Sequence, residues 1–218
     1  MLKLYYEIFV KGRHTLPFLV IGGDVVKKVD PIRAVDDIER MKDYLRSKSE
    51  RNYILIMCGL YSGLRISDII PLQVKHVIGD HIDIYEKKTR KRKRFPINDQ
   101  LRKALDAYIR ENDLKSYDFL FPSRKKKRSK SGNMLGARIH HISREAAYMI
   151  FKDAALHIGL KKIGTHSMRK TFGYHFYKRE GNLVMLMKIF NHSTQRQTLD
   201  YIGYEQDEID DVMLKFKY

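Results

Sequence analysis

The 218 residues contain a single cysteine, Cys58, set in an apolar run, so disulfide stapling is excluded and a reducing compartment fits. A buried structural thiol suits that setting better than a nucleophile. No apolar stretch approaches the length of a membrane span, and the N-terminus lacks a signal-peptide pattern. The expectation is an intracellular, cytoplasmic protein. No basic helix carries an exposed apolar face, which disfavours a membrane surface as partner. No cluster of His, Cys and carboxylates stands at ligand spacing, so no metal and no cofactor are expected. His140 and His141 accordingly read as backbone contacts and not as metal ligands. Acidic residues are scarce as well: 26 Asp and Glu face 43 Lys and Arg, a net charge of +17 with a pI near 9.8. That imbalance favours a polyanionic partner. Nucleic acid leads, because the basic residues cluster in runs inside a sequence that is 43% hydrophobic and therefore globular. No aromatic-rich strand motif appears, which argues against a purely RNA-binding role.

What is present suits one large domain with a short appendage. Residues 1–29 alternate loosely and pass through Pro17 and Gly22-Gly23, as a hairpin or linker would. Asp30-Pro31 reads as a helix start, with Ile38, Met41 and Leu45 as its apolar face. Residues 53–61 are apolar nearly all round, the mark of a buried central helix, and Gly63 permits its tight end. Residues 74–97 read as a small antiparallel sheet, 81–85 pairing with 94–97 across the cationic turn 87–93, with Pro96 at an edge. Leu101, Ala104, Leu105, Tyr108 and Ile109 make an amphipathic helix. Residues 119–122 form a short apolar turn, and a second basic run at 124–130 should be a mobile loop that orders on nucleic acid. Ala146, Ala147, Ile150, Phe151, Ala154, Ala155 and Ile158 form a core helix ended by Gly159, and residues 183–190 form a Met-rich one. An acidic helix start at 207–212 precedes a basic end. The fold class is α+β, mainly α-helical with a small antiparallel β-sheet.

Chemistry gathers at G-T-H-S-M-R-K-T-F-G-Y-H-F-Y, residues 164–177. Thr165 can cap a helix there, and Met168, Phe172 and Phe176 recur every four residues as an apolar stripe. His166 and Arg169 lie three apart in its first turns, so the N-terminus offers a dipole, free N–H groups, an imidazole and a forked guanidinium to an anion. Read alone, this is equally a capped surface helix with a basic start. Arg65 follows a buried helix, and Asp68 three residues on could hold its guanidinium; a purely structural pair is the alternative. Tyr201, nine residues after His192, is either an ordinary amphipathic residue or a covalent nucleophile.

In order, these residues are Arg65, Lys88, His166, Arg169, His192 and Tyr201. With the segments S-G-L-R-I-S-D-I, E-K-K-T ahead of R-F-P-I, T-H-S-M-R-K-T-F, F-N-H-S and T-L-D-Y-I-G, the chain resembles the catalytic domain of the tyrosine recombinases, the phage-type integrases and their bacterial relatives. The resemblance covers about residue 30 to the C-terminus. It implies a site-specific recombinase on double-stranded DNA: Arg65 and Arg169 hold the non-bridging phosphate oxygens, His192 adds a donor, and Tyr201 attacks phosphorus to give a 3′-phosphotyrosine bond. Lys88 would protonate the departing 5′-oxygen, with Lys87 and Lys91 as alternatives, and His166 would assist proton removal or orient the phosphate clamp. Asp68 would support Arg65 from behind. Lys87, Arg90, Lys91, Arg92, Lys93 and Arg94 in the turn, and Arg124, Lys125, Lys126, Lys127 and Arg128 in the second run, would contact DNA. The reaction conserves bond energy without ATP or metal, and the setting would be the nucleoid of a prokaryote or phage-infected cell. Residues 30–218 would be the catalytic domain, its tail from about 202 docking on a neighbouring subunit on DNA, with a monomer in its absence. Two features depart from the family pattern. Only about thirty residues precede the domain where relatives carry a helical DNA-binding domain, implying a fragment or a reduced member, and Asn191 stands where many relatives have Gly. A type IB topoisomerase-like nicking-closing enzyme uses nearly the same residues, and an inactive DNA-binding accessory protein is the competitor from another class.

Overall fold

The computed structural model describes residues 29–85, 91–123, 140–204, 209 and 213–216. The expected N-terminal hairpin, the turn residues Lys87, Lys88 and Arg90, the basic run with Arg124, Lys125, Lys126, Lys127 and Arg128, and nearly all of the acidic helix lie outside the described residues. In chain order the elements are α1 (Val35–Lys48), α2 (Glu50–Ser62), α3 (Ile66–Ile69), the strands β1 (His81–Tyr85) and β2 (Arg92–Pro96), α4 (Asp99–Glu111), α5 (Arg144–His157), α6 (Thr165–Glu180), α7 (Leu183–Phe190) and α8 (Gln195–Ile202). Among the described residues the fold is mainly helical with a small two-stranded antiparallel sheet, as the periodicities predict.

An apolar run with no polar face can fold only as a core element. Every residue of α2 from Tyr53 to Leu60 is buried, and α1, α4 and α6 pack around it. Cys58 is fully enclosed here, and burial pushes its thiol up to about 12, so it is inert. Helix α2 stops at Gly63, whose φ of 61° is left-handed; a Cβ there would also clash with the Phe172 ring. The chain thus turns sharply and delivers Arg65 to the surface of the core. A second cluster, Tyr174, Leu186, Phe190 and Ile202, joins α6, α7 and α8. Full burial of each of these apolar side chains contributes about 1.5–3 kcal/mol.

Pairing in the hairpin runs from His81 opposite Pro96 to Tyr85 opposite Arg92. Its alternation buries Ile82, Ile84 and Phe95 and turns His81, Asp83, Arg92 and Arg94 outward. Arg92 pairs with Asp83 at 2.5 Å, and Arg94 stands 3.8 Å from the same carboxylate. Arg92 and Lys93, expected in the turn, belong to the strand.

Four local expectations change. Helix α1 begins at Val35 and not at Asp30-Pro31, because the preceding stretch is already committed: the Asp30 N–H bonds the Lys162 carbonyl at 2.8 Å and the Ile32 N–H bonds Thr171 Oγ1 at 2.8 Å. Val74–His76 is a 3₁₀ turn outside the sheet, held by the Gln73 N–H at 3.0 Å from His76 Nδ1. The cap of α6 is Gly164 and not Thr165; a Cβ on Gly164 would sit 3.1 Å from Val29, and its N–H instead bonds Ser167 Oγ at 3.1 Å. Ala146 on α5 is exposed, where the pattern placed it in the core.

Helix α6 packs tightly against the α7–α8 pair at Gly173, where a Cβ would meet Ile202 and the Phe190 ring at 2.7 Å. Alanine gains up to about 1 kcal/mol of helix propensity over glycine, yet Gly173→Ala is expected to destabilise by about 1–3 kcal/mol through overpacking. Urea unfolding measures this, and a stabilised variant would contradict the packing.

Candidate active site

Arg169 lies on the face of α6 that meets α7 and α8 and is only 3% exposed. A buried guanidinium must be fully engaged to be tolerated. Its Nη1 donates to the Gly63 carbonyl at 2.5 Å and its Nη2 to the Phe190 carbonyl at 3.0 Å. The Phe190 ring lies 4.2 Å from Cζ, and the guanidinium is near enough to Tyr201 to pull its phenol's pKa down. One side chain therefore ties the end of α2 to the end of α7, beside the phenol on α8.

Arg65 caps α3, its carbonyl accepting the Asp68 N–H at 2.8 Å. Asp68 is buried beneath it. Arg65 and Arg169 both press the pKa of His166, His192 and Tyr201 downward, which puts these five side chains in one neighbourhood, and the His192 and Tyr201 rings meet within it. Arg65 also borders an open cleft of mixed charge, lined by Lys75, Arg92, His141 and Arg144 and by the carboxylates of Asp68, Asp83 and Glu145. His141 is held within that wall, its ring edge-on to Phe119 at 5.5 Å. A separate apolar groove between α1 and α6, lined by Val35, Ile38, Leu60 and Phe176, contains none of these five.

His192 reaches the site because α7 ends in a left-handed turn at Asn191, φ 54° and ψ 49°. Asparagine tolerates that conformation better than most residues other than glycine, so Asn191 suits the turn. The His192 N–H then bonds the Met187 carbonyl at 3.0 Å. Its Nδ1 lies 3.1 Å from Thr198 Oγ1, and that hydroxyl donates its own proton to the Thr194 carbonyl at 3.2 Å. Thr198 Oγ1 must accept, so Nδ1 carries the hydrogen and Nε2 faces outward.

Tyr201 sits in an aromatic and cationic cage. The rings of His192 and Phe190 meet it edge-on at 5.3 and 5.5 Å, and Lys170 Nζ lies 5.3 Å from its centroid. Burial raises the phenol's pKa, and Arg169 and Arg65 pull it back down. His166, at the start of α6, is lowered by partial burial and then by Arg169, Lys170 and Arg65; His192 is lowered by burial, Arg169 and Arg65. Both imidazoles are therefore neutral near pH 7. Lys170 and Thr198 were missed by sequence reasoning, although Lys170 adjoins Arg169 and Thr198 lies three residues before Tyr201 on the same helix face. Lys91 and Arg94 are exposed on the hairpin, while Lys93 is half-buried. Among the described residues, no group of three or more His, Cys, Asp or Glu could hold a metal ion, and no helix is long and apolar enough to cross a membrane.

Comparison with known proteins accords with this geometry. The family model for the phage integrase family matches residues 34–207. The chain belongs to that family, the tyrosine recombinases, an enzyme class that cleaves and rejoins DNA. It is 41% identical over 180 residues to the probable integrase/recombinase YoeC of Bacillus subtilis (strain 168), covering 82% of this chain and 92% of that protein. Tyrosine recombinase XerD of Rickettsia bellii (strain RML369-C) is 22% identical over 236 residues, covering 98% of this chain and 73% of XerD. In fold, the chain matches the crystal structure of XerA recombinase at TM-score 0.65 and 18% identity, covering 87% and 67% of the two chains. It matches the Tn1549 transposon integrase in complex with transposon right end DNA at TM-score 0.58 and 20% identity, covering 96% and 75%.

Lowered imidazole pKa values have a thermodynamic consequence. The unfolded chain binds protons at His166 and His192 near pH 6.5 that the folded chain does not. Stability from these groups is present above that value and is lost as pH falls below it, with His76 contributing in the same direction. The melting temperature should fall from pH 7.5 to 5.5, and His166→Gln with His192→Gln should flatten the fall. An unchanged slope in the double variant would contradict the electrostatics.

Proposed function

We propose that the chain is a site-specific DNA recombinase that cuts and rejoins strands through a 3′-phosphotyrosine intermediate on Tyr201. The observation that carries this reading is the Tyr201 phenol set edge-on to the His192 ring at 5.3 Å, with Arg169 and Arg65 near enough to pull its pKa down. A phosphodiester resists attack because its anionic oxygens repel the nucleophile and its alkoxide leaves poorly. Guanidinium donors favour the more highly charged transition state, and loss of one such donor typically costs 10²–10³ in rate. Tyr201 Oη forms the new bond to phosphorus while the bond to the 5′-oxygen breaks. The phenol proton passes to neutral His166, and Lys88 supplies the proton that the 5′-oxygen takes up. A 5′-hydroxyl from a second strand then attacks the phosphotyrosine and reverses the same steps. Protons and electrons balance without a metal, a cofactor or ATP.

His192 has a defined part in this scheme. Its outward Nε2 cannot donate while the ring is neutral, so its service as a donor requires protonation. A bound phosphodiester supplies the anion that raises its pKa again. DNA binding is thereby linked to proton uptake, and affinity falls as pH rises through that window. Double-stranded DNA would lie across the cleft beside Arg65 and the outer face of the hairpin. Residues 30–218 form the catalytic domain on this reading, acting in the cytoplasm on nucleoid DNA. Copies associate on DNA through the C-terminal tail, where Ile209, Met213, Leu214 and Phe216 are exposed, and the chain is a monomer without DNA.

Incubated with a pool of nicked duplexes of randomised sequence, the protein is expected to form a denaturant-resistant adduct. The trapped sequences then identify its substrate. Tyr201→Phe should abolish the adduct while retaining DNA affinity, and Arg65→Lys should slow it at least about a hundredfold. An adduct that persists in Tyr201→Phe would overturn the assignment. Plasmid relaxation without recombinant product would favour a topoisomerase, and steeply salt-dependent binding with no adduct an inactive accessory protein.

A further inference from the structure

The alternation of β2 puts one cation on the wrong side of the hairpin. Arg92 and Arg94 point outward, but Lys93 shares the inward face with Phe95 and stands opposite Ile84 in the pairing register. Its Nζ lies 3.4 Å from both the Lys188 and the Ile189 carbonyls, the last turn of α7. The next carbonyl, of Phe190, is held by Arg169 at 3.0 Å. A cation at a helix C-terminus neutralises the negative end of its dipole, and here two cations from separate elements grip three successive carbonyls. The left-handed Asn191 and then His192 follow at once.

We propose that Lys93 is a positioning residue: it anchors the end of α7 to β2 and so fixes the turn that presents His192 beside Tyr201. The amine is directed at protein carbonyls, which separates its role from the phosphate contacts expected of the neighbouring arginines. This inference rests on the recombinase reading for its effect on rate, but not for its effect on the position of His192.

Lys93→Met keeps the length of the side chain and removes the charge. On a duplex recovered from the randomised pool, adduct formation at saturating DNA should slow about ten- to a hundredfold, the scale of a small misplacement of a reacting group. The dependence of log affinity on log salt should keep its slope, and Lys93→Arg should restore most of the rate. In the DNA-free protein, the His192 ring resonances should shift in Lys93→Met while those of His157, on α5, stay in place. A salt slope reduced by about 0.9 with an unchanged rate would identify Lys93 as a phosphate contact and overturn the proposal. His192 resonances that do not move would also overturn it. If the wild-type protein forms no adduct with any duplex, the recombinase reading fails, and the His192 resonances alone decide the case for Lys93. Should Lys93→Met not fold, the same resonances in Lys93→Gln decide it.

Discussion

A single buried positive charge holds the site together. Arg169 lies between the carbonyl ends of two helices, Gly63 closing α2 and Phe190 closing α7. Both are negative poles of helix dipoles, and both would be costly to bury without a donor. The guanidinium would be equally costly without them, since removing an ion from water carries a penalty of several kcal/mol. Each satisfies the other, and the consequence is geometric. Arg65 is two residues beyond Gly63 and His192 two residues beyond Phe190, so one side chain sets where both of them emerge.

That arrangement concentrates positive charge around a neutral nucleophile. Burial, and then Arg169 and Arg65, depress His166 and His192, while the same two arginines draw the Tyr201 phenol down against the upward push of burial. With no anion bound, the imidazoles shed their protons and the phenol keeps its own. On the proposed reading, a bound phosphodiester would offset part of that positive field at His192 and favour its protonated form, while His166 stays neutral as the base. Substrate binding would then be linked to the protonation state of His192.

Much of this was legible in the sequence, for physical reasons. The all-apolar run at 53–61 could only be a core helix, and residues 183–190 fold as α7 over the range their pattern predicts. The family resemblance picks out Arg65, His166, Arg169, His192 and Tyr201, which the structure gathers, and residues 34–207 match the family model. Local rules failed where a tertiary partner outbid them. Pro31 looks like a first helical residue, but Thr171 had already claimed the Ile32 N–H. Thr165 looks like a cap, but Val29 crowds the preceding position and Gly164 fills it. Lys170 and Thr198 could not be picked out, because their significance lies in contacts with Tyr201 and His192 that adjacency in the chain does not convey. Lys93 was grouped with its basic neighbours; only the strand register separates it from them.

The account stands or falls on which atom becomes joined to DNA. Peptide mapping of the covalent adduct by mass spectrometry, with the DNA digested to a single nucleotide, reads that atom directly. The account predicts a nucleotide linked through its 3′-phosphate to Tyr201. A linkage to any other residue, or through a 5′-phosphate, would contradict it.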